Sequence, residues 1–182
     1  MRRIALAIII AAFAATAVPA GAHTSRGPAH ADQVPPDVRG QLREVRRATS
    51  AFRDVEAAKA AGYKASPECA ADPKYGGMGI HYANQKLIAD GVLDPLHPEI
   101  LVYQPRGDGE LSLGAVEYFQ PDRDQDLDTD DDKPSLFGVP FDGPMLGHEP
   151  GMPEHYDLHV WLYERNPAGL FAAWNPRVHC PS

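Results

Sequence analysis

The sequence predicts an α+β fold: an antiparallel β-sheet packed against one or two N-terminal helices, in a single domain with long ordered loops. Three observations carry this. An apolar stripe at helical spacing runs over 37–61, four short β-branched or aromatic runs follow it, and Gly or Pro bounds each run. Helical pattern first and strand pattern afterwards is the order of an α+β chain, not of an alternating α/β one.

The chain opens with Met1-Arg2-Arg3, the apolar run Ile4 to Val18, and Pro19-Ala20-Gly21-Ala22. A basic start, a short apolar core and an Ala-x-Ala site predict a secretory signal peptide over 1–22. The run of 15 residues falls short of the ~20 that cross a bilayer. A secreted or extracytoplasmic protein without membrane insertion is therefore expected. Loss of Arg2 and Arg3 takes the formal charge from −8 to −10. So acidic a surface repels phosphate backbones, and no nucleic-acid partner is expected. Residues 23–36 (HTSRGPAHADQVPP) have nothing to bury and read as a flexible leader before a domain over 37–182. Outside the cytoplasm two cysteines usually pair, which predicts a structural Cys69–Cys180 disulfide.

Within the domain, Val38, Leu42, Val45, Thr49, Phe52 and Val55 recur at spacings of three and four. Thr49 offers a cap for a second helix after a bend, and Gly62 is a natural terminator. The predicted strands are 78–84, 99–103, 111–119 and 155–163, with Gln104 to Gly109 as a hairpin connection between the second and third. A helix remains the alternative for 155–163, but Tyr-Asp-Leu-His-Val-Trp-Leu-Tyr has stronger strand character. Residues 121–133 (PDRDQDLDTDDDK) carry seven aspartates and read first as a solvated acidic insertion. The lesser reading is a calcium site at 122–132, although the EF-hand glycine and glutamate are missing.

The histidines are unevenly placed. His81 falls inside a predicted strand, while His148, His155 and His159 cluster in GPMLGHEPGMPEHYDLHVW. Imidazole is the commonest ligand of Zn, Cu and Fe, and converging copies build such centres. On a strand, His155, Asp157 and His159 share one face. Residues two apart lie ~6.6 Å from each other and can chelate together, whereas residues four apart lie ~13 Å from each other and cannot. Glu117, an acid inside the apolar run AVEYF, is the best carboxylate partner. The metal candidates are thus His81, Glu117, His155, Asp157 and His159, with His148 next in line. Glu117, Tyr82 and Tyr156 are candidates for proton transfer beside the metal. For Glu117 the competing reading is an ion pair with Arg165 or Arg177, and for His81 a core histidine bonded to a carbonyl.

Met145, His148, Met152 and His155 follow at intervals of three, four and three, a soft set suited to copper handling. A non-catalytic module binding a small molecule or glycan through Trp161 and Trp174 is a further alternative; core packing competes for both tryptophans and is the first reading for Trp161.

The strings GMGIHY, PEILVYQP, VEYF and GHEPGMPEHYDLHVWL, with NPAGLFAAWNP, resemble an uncharacterised family of exported bacterial proteins over about residues 49 to 181. The resemblance implies a shared domain and supplies no activity. The glycine- and histidine-rich strands are also similar to those of cupins, but the cupin His-x-His spacing is missing, so no cupin roles are carried over.

Overall fold

The computed structural model describes residues 34–107, 109–148 and 151–181. The expected signal peptide and most of the expected leader lie outside them. Val34 is already buried and Pro36 opens the first helix, so packing begins a few residues ahead of the expected boundary at 37.

Helix α1 spans Pro36–Ala48. Proline's fixed φ suits a first helical position, Asp37 stands in the first turn and Arg46 and Arg47 in the last, as the helix dipole favours. Its buried residues are Val38, Leu42 and Val45. Thr49 does not cap the next helix: its hydroxyl donates to the Val45 carbonyl at 2.8 Å. A 3-10 turn over Ser50–Arg53 intervenes, and Asp54 caps α2 (Val55–Ala60) by accepting from the Glu56 N–H at 2.9 Å. Gly62, at φ 100°, ends that helix in a conformation other residues avoid.

Among the described residues eight strands follow: β1 (Lys64–Asp72), β2 (Gly76–Ala83), β3 (Ile100–Pro105), β4 (Leu111–Pro121), β5 (Ser135–Leu136), β6 (Val139–Pro140), β7 (Asp142–Met145) and β8 (His155–Val160). A short α3 (Gln85–Asp90) lies between β2 and β3, started by the Asn84 side chain. The main sheet has the order β1-β2-β3-β4-β8-β7, and all its pairs are antiparallel. The four expected strands and the α+β class are present. Segment 155–160 is strand, not helix.

Alternation along the strands divides the core in two. One face carries Tyr82, Leu101, Tyr103, Val116, Tyr118, Tyr156, Leu158 and Val160 in a cluster with the α1 stripe. The opposite face carries Ile100, Val102, Ala115 and Phe119, covered by Trp161 and Val178. That cover is irregular chain. The C-terminal segment is held down by Gly77 N–H donating to the carbonyls of Asn175 (3.1 Å) and Val178 (3.0 Å), and by the Cys69–Cys180 disulfide. Gly77 is required there, since a Cβ at this position would stand 2.8 Å from Val178 Cγ1.

One buried carboxylate escaped the sequence reading. Glu99 is 1% exposed; its Oε2 accepts from the Phe119 N–H at 3.2 Å, and its Oε1 has no partner among the described residues. Burial pushes the carboxyl up from 4.5 to about 7. Between those values the folded chain holds a proton that the unfolded chain has released, so stability falls as pH rises through this window, by up to about 3 kcal/mol. Glu99→Gln is expected to remove that slope. Urea midpoints of both proteins at pH 5 and 6.5 check it: the wild type loses stability between the two and the variant loses less.

Candidate metal centre

Three adjacent features of the sheet assemble the site. Glu117 on β4 stands directly opposite His159 on β8, while Ile100 of β3 stands on its other side. His81 of β2 is opposite Val102, which in turn is opposite Ala115. His81 therefore reaches across β3, over a floor of short apolar side chains, to meet Glu117. Its Nε2 is 3.2 Å from Glu117 Oε2, and His159 Nε2 approaches the same oxygen at 3.4 Å. The two imidazoles are nearly perpendicular, at 88° with centroids 5.9 Å apart. One ligand atom from each of the three residues lies within 4.8 Å of the others. Two ligands ~2 Å from a shared ion can stand no more than ~4 Å apart, so a small contraction completes the centre.

Burial makes the group one-sided. The side chains of His159 and Glu117 are 1% and 6% exposed, whereas that of His81 is 19% exposed. Access is from the His81 side.

Electrostatics bind the cluster together without satisfying it. Burial alone would raise the Glu117 carboxyl, but the charges of His159 and His81 outweigh it and hold the group near 2. Burial alone would lower the His159 imidazole, but the charge of Glu117 and the neighbouring Asp157 carry it up to about 9. Even so, Glu117 Oε2, both ring nitrogens of His159 and Asp157 Oδ1 lack a hydrogen bond among the described residues. Each such buried orphan costs ~1–3 kcal/mol. A cation placed between the ligand atoms would satisfy two of them, Glu117 Oε2 and His159 Nε2.

The remaining candidates fall into distinct places. Asp157 is no ligand of the group; its Oδ1 lies 3.7 Å from His159 Nδ1, on the ring's far side from Glu117. There it can orient the imidazole, as carboxylates behind metal-bound histidines do. Asp142, which the sequence reading missed, pairs with Asp157 across β7 and β8, and burial followed by the Asp157 charge raises its carboxyl. No local pattern in 142–145 signals this; only register does. His155 is also outside the group: its Nδ1 is 3.1 Å from the Pro153 carbonyl, and its ring stacks on Phe119 and meets His148 edge-on.

Several expectations are corrected. Tyr82 and Tyr156 belong to the helix-side face, Tyr82 packing on Tyr103 and Tyr156 donating to Asp132, so neither can move protons at the site. The strand's alternation places them there. The core reading of Trp161 stands, at 3% exposed with its N–H on the Ala172 carbonyl. Arg177 pairs with Glu164, not Glu117. The aspartates of 122–132 form no three-carboxylate group among the described residues. They cap their own loop instead, Asp122, Asp124 and Asp126 accepting from backbone N–H groups and Asp132 from Arg123 N–H.

No family model, curated protein or solved structure matches the chain.

Proposed function

We propose that this is an exported metalloprotein, kin to the bacterial proteins whose motifs it shares, in which His81, Glu117 and His159 bind one divalent ion of Zn, Fe or Cu. The single observation that carries the reading is the convergence of two imidazoles and one carboxylate, with Glu117 Oε2 and His159 Nε2 buried and left without hydrogen bonds among the described residues. The disulfide supports an oxidising compartment, and among the described residues no helix is long and apolar enough to cross a membrane.

Three protein ligands leave at least one coordination position for water or a small molecule, and a bound ion would supply Lewis acidity there. The chain's own residues do the rest. Glu117 neutralises charge and bridges the two imidazoles, and His159 must surrender its proton for its Nε2 to serve as a ligand. Ile100, Val102 and Ala115 give the centre a dry floor, and His81 stands at its open side.

Elemental analysis of protein purified without a tag tests the proposal. About one equivalent of a transition metal is expected as isolated or after Zn, Fe or Cu is offered. Less than a tenth of an equivalent under both conditions would overturn it and leave a metal-free buried ion pair.

A further inference from the structure

A second group of ligand-type side chains lies along the same strand. His155, at the start of β8, is buried, and its ring meets that of His148 edge-on with centroids 5.1 Å apart and planes at 78°. This nearly repeats the arrangement of His81 and His159 in the first centre. Met152 brings a thioether to the same place: its Sδ accepts from the His148 backbone N–H at 3.4 Å. Met145 pairs with His155 across β7 and β8. The Pro153 carbonyl takes up His155 Nδ1 at 3.1 Å, which leaves Nε2 as the ring's ligand atom.

We propose that His148, Met152 and His155 form a second metal site that takes a soft monovalent ion, Cu(I). Two imidazoles and a thioether are a set that hard cations avoid and Cu(I) accepts. The first centre, with a carboxylate and no sulfur, suits a divalent transition ion instead. The sites are separate, since His155 and His159 are four residues apart on one strand, ~13 Å, beyond the reach of a single ion. Asp157 lies between them on the same face and closes the first centre from this side. The Phe119 ring stacked on His155 holds that imidazole in place, while exposed His148 forms the entry.

Titration with Cu(I) against a chromophoric Cu(I) chelator, on the full chain under reducing but disulfide-sparing conditions, tests this. The variants are Met152→Leu and His148→Gln, both outside the strands, and separately His81→Ala. At least a tenfold weakening is expected in each of the first two, and none in His81→Ala. X-ray absorption of the Cu(I)-loaded wild type should show a sulfur scatterer that Met152→Leu removes. If Met152→Leu and His148→Gln bind Cu(I) as the wild type does, or if His81→Ala abolishes binding, the second site does not exist. The His81→Ala arm keeps this result distinct from the fate of the first centre.

Discussion

Glu117→Gln is expected to cut bound metal from about one equivalent to under a tenth. The amide keeps the size of the side chain but loses the charge that draws both histidines, and a neutral oxygen is a much poorer ligand for a divalent ion. Both imidazoles point at the lost charge, Nε2 of each within 3.4 Å of Glu117 Oε2. The difference can be read as stability as well as stoichiometry. With free metal at a thousand times its Kd, the wild type should gain ~4 kcal/mol over its metal-free form. Glu117→Gln at the same metal concentration should gain almost nothing. Far-UV circular dichroism of the metal-free variant confirms that the sheet has formed. Asp157→Asn supplies the graded comparison, because it only releases the ring behind the ligand and should weaken metal binding ~10–100-fold. Equal metal affinity in Glu117→Gln and wild type would remove Glu117 from the centre.

The double change Cys69→Ser, Cys180→Ser is expected to lower stability by ~4–5 kcal/mol, following the chain entropy of a long closed loop. The two cysteines are 111 positions apart, with Cα atoms at 5.7 Å. Their bond constrains nearly the whole folded chain in its unfolded state. It also anchors the segment that lays Val178 over Gly77 on the face that carries His81, Glu117 and His159. Urea denaturation of oxidised wild type and the double variant measures the difference. A loss below ~1 kcal/mol would mean that the Gly77–Asn175 hydrogen bonds dock the C-terminus unaided.

Much of this architecture was legible residue by residue. The apolar stripe from Val38 to Val45 gave α1, and the clustered β-branched and aromatic residues gave β2, β3, β4 and β8. Strand β1 was not legible. Its KASPECAAD composition has little strand preference, and it is largely exposed at the sheet's edge. Pairing with β2 and the disulfide hold it there. The break in the N-terminal helix falls at Thr49 as expected, but Asp54, not Thr49, caps the second helix. Two acids, Glu99 and Asp142, were missed because an acid beside a Pro or in a loop resembles a solvated one until its neighbours are placed.

The His81, Glu117 and His159 group shows where each kind of information ends. Alternation with a period of two determined from sequence alone that His155, Asp157 and His159 share one face of their strand and that Tyr156 and Leu158 share the other. Periodicity cannot choose among registers that differ by two residues, because every such slip keeps the same side chains on the same face. Only the pairing of β4 with β8 set Glu117 against His159 rather than Asp157 or His155. Likewise only the order of the sheet brought His81 over Val102 to the same carboxylate from a strand that does not pair with β4. Local sequence fixed which residues face the site, and long-range register, set by the packing of the whole sheet, decided which of them meet.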